Sequence, residues 1–215
     1  MSTVVVFGAT GFAGGHITDE LVRRGHKVVA VARDTSKLPQ RDVVEARSGS
    51  VDDPAFVTEV AQGADVIVSA ISTKAGGGGV EFTDAVTSLL AAAEASGARL
   101  GIVGGAASLL TAPGGPRVLD AGFPDEIRPI AEEQARGQAV LENSNTDVDW
   151  FYVSPSALFG RDFAGERTGT FRVGDDVLLT GPDGTSTISG ADYAIAFVDE
   201  IERPAHHQKR FTVGY

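Results

Sequence analysis

Val4-Val5-Val6-Phe7-Gly8-Ala9-Thr10-Gly11-Phe12-Ala13-Gly14 reads as a buried strand, a glycine turn and the start of a helix. The apolar run Val4–Phe7 suits a strand covered on both faces. Gly8 permits a sharp exit from that strand. Gly11 lets the backbone approach a diphosphate with no Cβ in the way, and Gly14 lets the helix pack against the sheet. Thr10, Phe12 and Ala13 complete the loop. A helix beginning near Phe12 aims free N–H groups and the positive end of its dipole at an anion. A glycine triplet by itself is a weak signal. Placed between the first strand and first helix of a β–α series, it becomes a strong one.

The rest of the chain supplies that series. Short runs rich in β-branched or aromatic residues recur at 27–32, 43–46, 65–71, 100–103 and 150–153. Between them, residues 14–24, 54–62, 82–96 and 125–143 space their apolar side chains three and four apart, as helices do. Asp53 can cap the second helix, with Pro54 at its first position. Gly25, Gly63 and Gly97 follow helix ends, where a left-handed residue is commonly needed. About six such units are too few for an eight-fold barrel of ~250 residues. The prediction is an α/β fold: a doubly wound, mostly parallel sheet of the NAD(P)-binding Rossmann kind, forming one domain over 1–215. Residues 156–215 should partly cover the substrate side. There, 177–180 and 186–188 read as a hairpin about Gly181-Pro182-Asp183-Gly184. Ser189-Gly190-Ala191-Asp192 resembles a capping box opening a helix to about 202, and 210–213 can add a last strand.

Composition removes whole classes of function. The 215 residues contain no cysteine, which excludes disulfides, thiolate metal sites and cysteine nucleophiles. Eighteen basic against 29 acidic side chains leave a net charge of −11, which disfavours nucleic acid as a partner. No apolar run approaches the ~20 residues that span a bilayer, and no secretory leader is recognisable. The expectation is a cytoplasmic protein without a membrane partner, monomeric or homodimeric. Adjacent His206 and His207 project differently and lack an evident third ligand, so no metal is expected. Asp192, Asp199, Glu200 and Glu202 read as the solvated face of the last helix.

Strand ends should carry the ligand. The second strand ends Val31-Ala32-Arg33-Asp34, with Arg33 nineteen residues after Gly14. NAD-preferring proteins usually place an acid about 20 residues past the loop. A guanidinium fork there suits a 2′-phosphate, and Lys37 adds charge. The reading is NADP, with NADPH preferred over NADH, although Asp34 could instead reach the ribose. Ser50 and Val51 should flank adenine, and Ser69, Ala70 and Ile71 should border the ribose. Gly76–Gly79, expensive to order, reads as a mobile loop near the open site.

One expected device is missing. Typical short-chain reductases use a tyrosine acid with a lysine four residues on. Here Tyr152 is followed at that spacing by Ser156, Tyr193 by Phe197, and Tyr215 ends the chain. The helix over 125–143 offers Glu132, Glu133 and Arg136 instead. Losing a general acid typically costs ~10²–10⁴ in rate for carbonyl reduction. A flavin, quinone or linear tetrapyrrole can take hydride and draw its proton from solvent, with the protein supplying proximity and orientation.

The segments 8–14, 31–34 and Gly104-Gly105-Ala106-Ala107-Ser108-Leu109 resemble the atypical short-chain dehydrogenase/reductases assigned as NADH-flavin reductases. So do Asp149-Trp150-Phe151-Tyr152-Val153-Ser154-Pro155, Gly165-Glu166-Arg167-Thr168-Gly169 and 188–215. That group is related to biliverdin-IXβ reductase-like and NmrA-like proteins, and the resemblance runs over essentially the whole chain. It implies an NAD(P)H-dependent reductase of a small planar acceptor, with FMN or riboflavin as candidate substrate. It also implies that Ser108 faces the nicotinamide and substrate as the catalytic residue, and that Pro155 and Ser156 line the carboxamide side. Two alternatives stay open: a non-catalytic NADP(H)-binding regulator of the NmrA-like kind, and an epimerase or dehydratase, which the absent dyad disfavours.

Overall fold

The structure is a computed structural model that describes residues 1–38, 42–77 and 79–215. Strands β1 (Thr3–Phe7), β2 (Lys27–Ala32), β3 (Val44–Ser48), β4 (Val66–Ser69), β5 (Arg99–Val103), β6 (Trp150–Ser154), β7 (Arg172–Gly174) and β8 (Lys209–Gly214) form one sheet. Its order is β3-β2-β1-β4-β5-β6-β8-β7, parallel throughout except that β7 runs against β8. Five helices cover it: α1 (Phe12–Arg23), α2 (Pro54–Val60), α3 (Phe82–Ser96), α4 (Arg128–Glu142) and α5 (Gly190–Glu202). The chain winds outward from β1 to β3, then returns to lay β4 on the other side of β1. That reversal opens a crevice beyond the carboxyl ends of β1 and β4, the place where such sheets bind ligands.

Alternation along β1 builds both layers at once. Val4 and Val6 join Ile17 and Leu21 of α1 and Tyr193, Phe197 and Ile201 of α5. Val5 and Phe7 point the other way, to Val57 of α2, Phe82 and Leu89 of α3 and Leu141 of α4. Each fully buried aliphatic or aromatic side chain contributes roughly 1.5–3 kcal/mol, so both faces of β1 are committed to core. Asp53 caps α2 by accepting from Ala55 and Phe56 N–H, with Pro54 at the first position. Gly25, Gly63 and Gly97 all take positive φ. No helix among the described residues is long and apolar enough to cross a membrane.

The tail departs from the sequence reading. A turn closes at 181–185, with Gly181 N–H donating to Thr185 C=O at 2.7 Å, but no ladder follows it. Residues 177–180 and 186–188 bond to other segments: Leu178 N–H to Leu110 C=O, Leu158 N–H to Ser186 C=O, Tyr215 N–H to Thr187 C=O. With their backbone groups already satisfied elsewhere, they cannot form a hairpin. On its outer side β8 pairs with β7, three residues that carry little pattern. Asp192 and Glu200 are not on a solvated face either; both are buried. Asp192 accepts from Thr168 and Gly169 N–H and from the Thr168 and Tyr215 hydroxyls. Glu200 accepts from Arg99, Ala205 and His206. His206 lies on the Phe211 ring and meets Glu200, while His207 turns to Asp149.

Candidate functional site

A cleft of about 190 Å³ lies beyond the ends of β1, β2 and β4. Gly8, Thr10, Gly11, Arg33, Ser50, Val51, Ala70 and Ile71, all read from the sequence, line it together. The glycines have distinct local causes. Gly8 has φ +82°, and a Cβ there would lie 2.4 Å from Ala70 O. A Cβ on Gly14 would lie 2.2 Å from Gly8 O, so the helix rests directly on the turn. Three loop amides are spent on anchoring: Gly8 and Ala9 N–H both reach Val31 C=O, at 3.1 and 3.3 Å, and Gly11 N–H reaches Gly8 C=O at 2.9 Å. Gly11 caps α1 in extended backbone with no side-chain acceptor. The first-turn amides of Phe12, Ala13 and Gly14 therefore lack an intrahelical partner and a side-chain cap, and an anion suits them.

Arg33 stands exposed in the lining of the cleft; its backbone C=O accepts from Ser48 Oγ–H at 3.2 Å, and its guanidinium makes no ion pair or hydrogen bond among the described residues. Its Nη1 lies 3.2 Å from where a Cβ on Gly79 would be, so the guanidinium reaches across to the glycine-rich segment. Asp34 turns away from ribose duty. Its carboxylate accepts from Ser36 N–H at 3.0 Å and Ser36 Oγ–H at 2.6 Å, and these bonds hold its pKa below the usual value. Lys37 ends the short 3₁₀ turn that Asp34 caps and is exposed. Of the glycine run, Gly77 lines the cleft and Gly78 lies outside the described residues.

Other sequence candidates are placed elsewhere. Ser69 is fully buried, its hydroxyl without a partner among the described residues, and does not line the cleft. Phe12 packs edge-on against His16 and Phe159, with ring centroids 5.0 and 5.2 Å apart. Ala13 packs on the α1–α5 core. Pro155 is buried, and Ser156 donates to Val213 C=O at 3.1 Å. Ser108, expected as the catalytic residue facing the nicotinamide, has its hydroxyl bonded within the protein. Its hydroxyl donates to Gln138 Oε1 at 2.7 Å and accepts from Arg210 Nη1 at 2.9 Å. Arg210 is itself held by Asp176, and Gln138 donates to Glu142. The hydroxyl thus closes a chain between α4 and β8, away from the cleft.

The tyrosines are equally committed. Tyr152 is buried and accepts from Gly105 N–H at 3.2 Å, and burial pushes its pKa up to about 12. Tyr193 donates to Val153 C=O at 2.8 Å, and burial raises its pKa well above the usual value. Sequence reasoning missed Gly49 and Ser72, which also line the cleft. Only the smallness of Gly49 signals its place: a Cβ there would meet the Phe56 ring at 2.3 Å. It also missed what Glu133 does.

Comparison with known proteins agrees with this geometry. Residues 8–204 match the NAD(P)H-binding family. The uncharacterized protein YwnB of Bacillus subtilis is 36% identical over 212 residues, covering 97% of this chain and 96% of its own. A structure from Bacteroides thetaiotaomicron, provisionally named an epimerase, superposes with a TM-score of 0.90 at 33% identity, covering 100% of this chain and 97% of its own. The SP1627 protein of Streptococcus pneumoniae, provisionally named an NADH-flavin reductase, gives 0.86 at 28% identity, covering 100% and 99%. The chain belongs to the NAD(P)H-binding family, and its fold is the NAD(P)-binding Rossmann fold.

Proposed function

We propose that this member of the family is an NADPH-dependent reductase that passes hydride to a flavin, quinone or similar planar acceptor. One observation carries the reading. Helix α1 opens at the cleft with uncapped amides at Phe12–Gly14, and the cleft holds an Arg33 guanidinium with no partner among the described residues, while the buried tyrosine hydroxyls are bonded internally. The first pair of features fits a diphosphate and a 2′-phosphate; the second leaves an oxygen-centred substrate without a tyrosine acid. Gly8, Gly11 and Gly14 would hold the diphosphate, Arg33 and Lys37 the 2′-phosphate, and Ser50, Val51, Ala70 and Ile71 the adenosine. When bound, the nicotinamide supplies hydride, and an acceptor such as FMN or riboflavin takes its accompanying proton from solvent. The protein's part is orientation and exclusion of water. The S. pneumoniae relative named for flavin reduction supports the acceptor class.

The same bonded hydroxyls also favour a second reading, an NADP(H)-binding regulator without turnover. Titration calorimetry with NADPH and NADH, followed by steady-state assays with FMN, riboflavin and simple quinones, decides between them. The expected outcome is tighter NADPH binding and oxidation by at least one acceptor. Tight binding with no oxidation would select the regulator, and absence of binding would refute both.

A further inference from the structure

The connection from β4 to α3 supplies Ala70, Ile71, Ser72, Gly77 and Val80 to the cleft wall. Its own bonds order a single turn, in which Gly76 N–H donates to Thr73 C=O and Oγ1 and Gly77 N–H to Lys74 C=O. Glycine occupies 76 through 79, and Glu81, the N-cap of α3, makes no side-chain cap bond. Further order comes from α4. Glu133 Oε1 accepts from Lys74 N–H at 2.8 Å and from Phe82 N–H at 2.9 Å, and Oε2 accepts from Ala75 N–H at 2.8 Å. Glu133 is 2% exposed. Burial alone would raise its pKa, but the three backbone donors and Arg136 outweigh that and hold it below the usual range. Gly137, one turn on, makes room for this contact: a Cβ there would meet the Phe82 ring at 2.2 Å.

We propose that Glu133 is a positioning residue for the dinucleotide cleft. It clamps the amides of Lys74, Ala75 and Phe82, and so holds the wall at the width that grips the cofactor. The proposal rests on reading the cleft as the NADPH site. A carboxylate is the group the position requires. Three N–H groups converge on it, and one belongs to the first residue of α3, where the dipole favours negative charge. An amide in its place would have one acceptor oxygen and would turn an NH₂ toward a third donor. The exposed Lys74–Glu81 ion pair, at 3.1 Å, is too solvated to replace it. With the clamp gone, only a fraction of molecules would hold the wall ready. Apparent cofactor affinity falls by that fraction.

The test is Glu133→Gln, with exposed Glu132→Gln on the same helix as control. NADPH dissociation constants are measured by calorimetry, and KM and kcat with FMN as acceptor, on variants shown to be folded by thermal unfolding. The expected result is an NADPH Kd and KM raised about tenfold or more, with kcat at saturating NADPH within about twofold and Glu132→Gln unchanged. A folded Glu133→Gln with wild-type NADPH affinity, even if less thermostable, would reduce the residue to a structural role and overturn the proposal. Should that variant not fold, amide hydrogen exchange on the wild type decides. Lys74, Ala75 and Phe82 amides are expected to be protected before cofactor is added, and fast exchange there would overturn the clamp. Wild-type protein that bound neither coenzyme would instead sink the reading of the cleft, a failure visible before any variant is made.

Discussion

The two halves of this sheet treat their polar groups in opposite ways. Beyond β1 and β2, the first-turn amides of α1 have no side-chain cap, and the Arg33 guanidinium has no partner among the described residues. Around β5, β6 and β8, the hydroxyls of Ser108, Ser156, Tyr152 and Tyr193 are all bonded within the protein. The first half is built to recognise charge brought by a ligand. The second is built to stay closed. A protein that needed to deliver a proton from a side chain would keep an acid available there, so the contrast argues that the chemistry at that end needs position more than acid.

The contrast can be broken most forcefully at the turn. Gly14→Ala places a Cβ 2.2 Å from Gly8 O, and neither backbone segment can yield by a side-chain rotation. Overpacking of this kind costs roughly 1–3 kcal/mol in stability. The cradle must also open, so NADPH binding should fall at least about 100-fold, roughly 3 kcal/mol. Calorimetry on the folded variant checks it, and retained affinity would mean that the cradle is not the diphosphate site.

Next in size is an effect on the α1–α5 layer behind the sheet. Glu20, buried near the end of α1, accepts from Arg23, Arg24 and Arg167, while Arg24 also reaches Asp199 and Glu202 near the end of α5. Burial raises the Glu20 pKa, but these arginines outweigh it and lower the carboxyl from 4.5 to about 2. A depressed folded pKa means that this stability is present above the ordinary carboxyl value and is lost as pH falls through the folded one. Denaturant unfolding should therefore show stability dropping between about pH 4.5 and 2. Glu20→Gln should cost about 3 kcal/mol at neutral pH by leaving arginines uncompensated, flatten that acid slope, and leave NADPH affinity of the folded protein unchanged. A variant that lost cofactor affinity as well would show that this ion-pair network is coupled to the cleft.

Arg33→Ala sharpens the open half. A charge-assisted contact is worth roughly 1.5–3 kcal/mol, so NADPH affinity should fall about ten- to a hundredfold while NADH affinity changes little. Equal losses for both coenzymes would assign Arg33 to adenine stacking and remove the case for 2′-phosphate recognition.

What the sequence made legible follows the same division. The cradle is local: strand, glycines and helix lie within eleven residues, and each glycine answers to a neighbour close in sequence or on an adjacent strand. Arg33 and Asp34 were legible as a pair, but only the three-dimensional arrangement shows Asp34 spent on Ser36. The clamp at Glu133 was not legible, because its donors lie 51 to 59 residues away, and Glu132-Glu133 looks like any solvated helix face. Asp192 misled for the same reason. Its neighbours in sequence suggest solvent, while Thr168, Gly169 and Tyr215 arrive from elsewhere. The tail hairpin failed because a turn fixes only its own few residues, and the segments flanking it found other partners.

The smallest expected effect is at Ser108, whose hydroxyl is bonded on both sides. The local motif after β5 suggests a hydroxyl facing the nicotinamide, but Arg210, 102 residues later, donates to it at 2.9 Å and Gln138 accepts from it at 2.7 Å. A general acid removed from a reductase typically costs 10²–10⁴-fold in rate. A hydroxyl closing a hydrogen-bonded chain costs about 1 kcal/mol of stability when deleted. Ser108→Ala should therefore leave kcat with FMN within about threefold and lower the unfolding free energy by about that amount, read from denaturant midpoints at constant slope. A hundredfold loss of kcat in a variant of unchanged stability would return Ser108 to the reaction. The bonds to Gln138 and Arg210 would then have to open during turnover, and the closed half would be closed only at rest.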